Sequence, residues 1–400
     1  MVLPKTKSPW IQDIKIKALE LIDKEFEGYS PPTVFVGSKY INLKKANVGV
    51  LSPIGNKEEA WKYDDPHYWY TSEYTLQQIV ELRSQLINAR KKAGIFDVRT
   101  NNKFLELAQE IAMSRKTTGV EVELKKRLHP LLHLDSLHLP FGPGGEIHKI
   151  KAMNTIKLEP QVEKVFYDTD LKAVDGIRFL KDKGLNEYQL SQLLSIGVMG
   201  VKTNRKLVPT KWSITATDDT LGKDLIKEIK TFPIIQDYRF LFGNYFGNYY
   251  LILLFPEVWS YELFESSLPD TWPSPDFELY TTTDYESYLG RKNYADHTVG
   301  GYYAARLSLL EYLKERKIQA STLLLRFVTS EYSTPLGVFV VRQAVRKTVS
   351  TPELSFTDKK IMLDYCKSLI IRKFNYDINN LLKKSILLTK INTQKKLFEF

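Results

Sequence analysis

The sequence holds 400 residues, 43% of them apolar and 26% charged, with a formal net charge of +10. That composition belongs to a globular protein with a sizeable core, arranged as about two domains or one large one. It excludes several classes: no run of about eighteen apolar residues is present to span a bilayer, the opening MVLPKTKSPW lacks a signal-peptide core, and the lone Cys366 rules out an internal disulfide or a multi-cysteine zinc site.

An intracellular protein is therefore expected, and the basic balance favours anionic partners, nucleic acid above all. Residues 11–26 carry apolar side chains at helical spacing, which predicts an amphipathic helix ended by Gly28 and Pro31-Pro32. TVFVG (33–37) and YINLKKANVGVL (40–51) read as strands, followed by the aromatic and charged loop EEAWKYDDPHYWY (58–70). The acidic and aromatic side chains of that loop either line a groove or pack at a surface. Helices are predicted over 76–93 and 103–114.

Histidines 129, 133, 138 and 148 lie near Asp135. Pro130 disrupts a helix across the first pair and no His-Glu-x-x-His pattern is present, so no metal is assigned. PFGPGG (140–145) has no following Lys-Ser/Thr and reads as a turn rather than a phosphate loop. Residues 149–167 are predicted as two strands around a turn at 158–161, and helices follow over 170–183 and 186–196.

The stretch RKLVPTKWSITATDDTLGKDLIKEIK (205–230) is dense in side chains that suit a ligand. Arg205 and Lys211 supply charge and Trp212 a flat face. Ser213, Thr215 and Thr217 alternate with apolar residues, which predicts a strand carrying three hydroxyls on one face. Asp218 and Asp219 then form an acidic turn before a helical pattern from Leu221. One aspartate is explained as a helix cap. The pair also suits catalysis by a metal-dependent nuclease, provided a bend and further acids bring the carboxylates together. Arg205, Trp212 and the hydroxyls alternatively suit a nucleotide- or NAD-using transferase. No cofactor is assigned.

Beyond it, 236–246 and 248–255 are predicted as a hairpin, 258–264 as a strand, and a subdomain boundary near Thr283. Asp296 and His297 precede Gly300-Gly301 and a strong helix, YYAARLSLLEYL, where an anion is readily held. Asp296 is a ligand-binding candidate and His297 a catalytic one. Residues 321–329 read as a strand. Arg342 and Arg346, set among apolar residues, are either ion-pair partners or phosphate contacts. Helices over 356–374 and 377–388 close the pattern. From residue 358 to the end stand ten Lys/Arg against four Asp/Glu, either a solvated face or a nucleic-acid contact. The fold class is α+β, with mixed or antiparallel sheets flanked by helices, because strands and helices interleave without regular βα alternation.

The blocks VFVGSKYIN, RKLVPTKWSITATDD, WSYELFE, DHTVGGYYAARLSLLEYL and GVFVVRQAVRK resemble the Nre family of archaeal DNA repair proteins, from about Thr33 to the end. The resemblance implies a cytoplasmic protein of DNA damage repair with an N-terminal family region (1–283), a C-terminal one (284–400) and a clamp-binding tail. Many members begin with a four-cysteine zinc finger, and this chain resembles those without it. DNA is expected as a direct partner. The last seven residues, QKKLFEF, place Gln394, Leu397 and Phe400 three apart. That spacing brings them to one side of a helical turn and is similar to a box that binds the sliding clamp PCNA.

Overall fold

The computed structural model describes residues 22–55, 59–269, 271, 280–298 and 300–393. The chain divides into two compact units, residues 1–221 with 334–339, and residues 222–333 with 340–400.

The first unit is built on a six-stranded sheet of order β1-β5-β6-β4-β3-β2. Its strands are β1 (Glu25–Ser30), β2 (Val34–Val36), β3 (Lys45–Ser52), β4 (Ile87–Gly94), β5 (Thr118–Leu124) and β6 (Gly144–Ala152). All neighbours run antiparallel except β4 and β6. The helices of this unit are α1 (Pro66–Thr71), α2 (Leu76–Ser84), α3 (Lys103–Ala112), α4 (Pro160–Tyr167), α5 (Ala173–Asp182) and α6 (Glu187–Ser195). Several starts follow local chemistry. Thr75 and Gln78 make a capping box on α2, Asn186 and Gln189 make one on α6, and Asn102 caps α3.

The second unit holds a six-stranded sheet of order β10-β9-β11-β8-β7-β12. It comprises β7 (Tyr238–Tyr245), β8 (Asn248–Phe255), β9 (Ser260–Ser267), β10 (Tyr280–Glu286), β11 (Ser321–Val328) and β12 (Leu354–Phe356), parallel only between β9 and β11. NYYLILLF of β8 is buried along its whole length, as a central strand covered on both faces requires. The β7–β8 hairpin turns at Phe246 and Gly247, both at positive φ, the pairing a two-residue primed turn needs. On one face Phe240, Leu253, Phe255, Phe264, Leu325 and Phe327 pack with residues of α10 (Lys359–Phe374), α11 (Asn379–Lys384) and α12 (Ile386–Thr393). The unit also holds α8 (Gly301–Arg316) and most of α9 (Val338–Val349), which begins in the first. The long helix α7 (Thr210–Ile229) likewise starts in the first unit and ends in the second.

The α+β class with mixed sheets is what the pattern predicted. Four local expectations fail. Residues 212–217 are not a strand but lie inside α7. Residues 87–93 do not extend α2 but form β4, which pairs with β3 along its whole length. Residues 160–167 are α4, with Pro160 preset for a first turn, rather than a second strand. Glu25 and Phe26, expected to end a helix, open β1. No described helix is long and apolar enough to cross a membrane.

A buried ionic cavity in the first unit

An arginine on the apolar face of a helix needs a counter-charge. On α2, Ile79, Val80 and Arg83 share the buried face, and Arg83 is 3% exposed. Its partner is Asp64, from the aromatic and acidic loop, and both side chains are almost wholly enclosed. Arg83 Nη1 donates to Asp64 Oδ1 and to the Tyr63 carbonyl (3.1 Å), and Nε donates to the Pro140 carbonyl (2.7 Å). The second carboxylate oxygen of Asp64 accepts from Thr33 Oγ1 and from Gln192 Nε2 (2.9 Å). Gln192 Oε1 in turn accepts from the Val34 amide at the edge of β2 (3.2 Å). The network thus ties the loop, α2, β2 and α6 together, every carboxylate oxygen engaged.

Beside this pair lies a cavity of about 70 Å³, lined among others by Arg83, Asp64, His138, Phe35, Phe141 and Phe339. Arg83 lines it with its Nη2 amino group not engaged in the bonds above. Ring contacts stiffen the wall: Phe35 packs at 4.9 Å from both His138 and Phe141, and His133 stacks on Phe141 at 5.0 Å. Burial pushes the His138 imidazole below its ordinary value, against the pull of Asp135, so it is neutral near pH 7. His133 is lowered likewise, by burial and then by Arg90 and His138. The site therefore presents one cationic donor, neutral imidazole and aromatic walls, chemistry that suits a small planar or carbonyl-bearing group. Gly337, at φ +59°, sits where a Cβ would lie 2.6 Å from the His138 carbonyl carbon. The Val338 amide donates to the Leu137 carbonyl (3.1 Å), which holds the wall in place.

Of the residues singled out in the sequence, several reach this region. Thr210 and Ile214 of α7 line the cavity, Thr210 Oγ1 accepts from the Val36 amide (2.9 Å), and the charge of Lys211 is felt at His138. Trp212 is 49% exposed. Ser213 and Thr215 donate back to the carbonyls of Thr210 (2.8 Å) and Lys211 (3.2 Å), so they are helix hydroxyls rather than a ladder. Thr217, Asp218 and Asp219 are buried within α7, well past its start, and do not form the acidic turn expected before it. Arg205 is a staple. Its guanidinium donates to the carbonyls of Gly200 (2.7 Å), Phe166 (2.8 Å) and Asp168 (2.9 Å).

The remaining candidates belong to the second unit. Asp296 and His297 are exposed, and the turn that carries them is pinned by Asp284. Asp284 Oδ2 accepts from the amides of His297 (3.0 Å) and Thr298 (2.8 Å) and from Thr298 Oγ1 (2.9 Å), and Arg291 lies 3.0 Å from its other oxygen. Arg342 is buried, and Arg346 makes a forked pair with Glu311 (3.0 and 3.2 Å). Gln394, Leu397 and Phe400 lie outside the described residues. Among the described residues, no three His, Cys, Asp or Glu side chains come together to hold a metal.

The sequence reading passed over Thr33, Arg83 and Gln192. Arg83 carried a usable signal, a charge at i+3 and i+4 from Val80 and Ile79 on an apolar helix face. Gln192 and Thr33 carried none.

Comparison with known proteins gives a consistent answer. The model for "Archaeal Nre, N-terminal" matches residues 8–273, and that for "Archaeal Nre, C-terminal" matches residues 286–400. The DNA repair protein NreB of Archaeoglobus fulgidus is 33% identical over 380 residues, 95% of this chain and 93% of that protein. The DNA repair protein NreA of the same organism is 34% identical over 357 residues, 88% of each chain. NreA of Haloferax volcanii is 32% identical over 331 residues, 81% of this chain and 78% of that protein. No solved structure matches. The two family regions do not coincide with the two compact units, because the first runs on through β7, β8 and β9.

Proposed function

We propose a role in DNA repair from one premise: the chain belongs to the archaeal Nre family. The observation that carries the reading is that relatives named DNA repair proteins match it over most of their own length. Its finer content is recruitment to the sliding clamp PCNA by the tail, together with direct contact to DNA. Leu397 and Phe400 supply an apolar plug and Gln394 an amide anchor, and buried apolar anchors dominate interfaces of this kind. Within the first unit, Thr210 and Ile214 are the residues of the central stretch that line the cavity, and the half-exposed Trp212 with Lys211 is offered as a separate contact on another face of α7.

Calorimetry with the cognate clamp tests the tail. The full chain should bind, and a variant ending at Asn392 should not. Equal affinity for both would place the clamp contact elsewhere. The Leu397→Ala and Phe400→Ala variants should each weaken binding by about tenfold or more, the loss expected for an interface anchor.

A further inference from the structure

One row of the first sheet runs Phe35, Gly49, Arg90, Glu146 across β2, β3, β4 and β6. Towards Leu51 this face is covered and forms the cavity wall. Towards the start of β3 it is open. There Lys45 and Lys92 are exposed, Lys92 opposite Asn47 and Lys45 opposite Gly94, so both point to the same side as Arg90. Lys92 Nζ sits 4.0 Å from the centroid of the Tyr40 ring, and the exposed Lys39 sits 5.5 Å from it. Tyr40 thus holds two ammonium groups in place on the sheet surface. Lys125, at the end of β5, joins them.

Two acids share the strip, and both are already engaged. Glu146 pairs with Lys125 at 2.6 Å, and its carboxyl is held below the ordinary range by that lysine first and then by Lys92 and Arg90. Asp97 accepts from the Gly94 amide (2.7 Å). At this end of the sheet five cations therefore stand beside two occupied carboxylates; farther along the same face lie Glu123, 3.9 Å from His148, and Glu121, paired with Lys151 at 2.8 Å. The C-terminal helices carry cations too, two of them also seated on rings. Lys373 lies over Tyr249 (4.5 Å), Lys390 over Tyr285 (4.9 Å), and Lys359 donates to Asn392.

We infer that Lys39, Lys45, Arg90 and Lys92 form a binding strip for the phosphodiester backbone of DNA, on the sheet face that also walls the cavity. The inference rests on the DNA repair reading above. Such contacts position a strand without reading its sequence. The cation–π geometry presets two of them, so little side-chain freedom is lost on binding. Because each phosphate neutralised releases counterions, the strip fixes the salt dependence of affinity.

The test is fluorescence anisotropy with a duplex and a single strand of equal length, across about 50 to 300 mM salt, a range over which phosphate contacts weaken steeply. The proteins are the full chain, the triple variant Lys39→Gln/Lys45→Gln/Lys92→Gln, and the control Lys359→Gln/Lys360→Gln/Lys384→Gln. Thermal unfolding checks that each stays folded. With three contacts removed, the slope of log affinity against log salt should shrink by about 2.7 for duplex and about 2.1 for single strand. The control should keep the full slope. If the unaltered chain binds neither DNA, direct contact fails and the strip with it. If the chain binds and the triple variant keeps its slope while the control loses it, the strip is wrong and DNA binding stands.

Discussion

Replacing Asp64 by alanine would strand Arg83 in the interior. The Arg83 and Asp64 side chains are 4% and 5% exposed, so water cannot take the place of the lost carboxylate. Thr33 Oγ1 and Gln192 Nε2 lose their acceptor at the same time. Removing one partner of such a pair costs about 3–5 kcal/mol, because the other charge stays buried without compensation. For a unit of this size each kcal/mol moves the melting temperature by roughly 2–4 °C, so the first unit should melt about 6–20 °C lower. Differential scanning calorimetry of the full chain reads that shift directly. A companion variant, Asp64→Leu with Arg83→Met, removes both charges and should recover more than half of the loss, since apolar replacements of similar volume are near neutral. A drop below about 2 °C for Asp64→Ala, far less than a broken buried pair should give, would refute the reasoning. So would a double variant no better than the single one.

Glu262, buried on β9, accepts from Ser385 Oγ (2.5 Å) and from the Ile386 and Leu387 amides (3.0 and 3.1 Å), and burial outweighs these bonds to raise its carboxyl above 4.5. The folded state then holds a proton that the unfolded state has released, so stability of the second unit should rise as pH falls from neutral towards 4.5. Melting scans of Glu262→Gln should lack that rise; an unchanged profile would clear Glu262. Asp284 has the opposite sign. Burial pushes it up, but bonds from Thr298 and His297 and the charge of Arg291 hold it below 3.8, so its contribution is lost only at lower pH and in a separate window. Gly337→Ala should cost more than about 1 kcal/mol by urea unfolding, for its positive φ alone. Arg205→Met should destabilise by about 1–3 kcal/mol through the stranded carbonyls, while leaving DNA affinity unchanged. A loss of affinity without a loss of stability would return Arg205 to a ligand role.

How far the sequence speaks depends on whether a signal is local. The hairpin at 246–247 and the apolar run of β8 are local, and they were legible, whereas the cap expected at Asp218 or Asp219 was not there, because both lie inside α7. The period-two run at 212–217 was legible and misleading. Ser and Thr satisfy their hydroxyls on carbonyls three or four residues back, so alternation does not exclude a helix when the flanking turns are helical. The residues 87–93 failed for the reverse reason: pairing with β3 along the whole strand overrides weak helical spacing. The cavity was half visible. Thr210 and Ile214 fall in the stretch that stood out, and Asp64 in a loop where a groove was one of two readings. What joins them is Gln192, 128 residues away in the chain, and no periodicity encodes such a partner.

The Glu262 contacts also set a length. They fix the start of α12 to an inner strand of the sheet, and the described part of α12 runs to Thr393. In the sequence only the six residues 388–393 lie between the last Glu262 contact and the proposed clamp motif. Seven residues at full extension span at most roughly 25 Å, so a partner gripped at Phe400 would be held on a short leash. Such a tether restricts the angles at which the second unit and a ring-shaped partner can meet. Lengthening it with a few glycines between Thr393 and Gln394 would leave the affinity of the motif alone and loosen only the geometry.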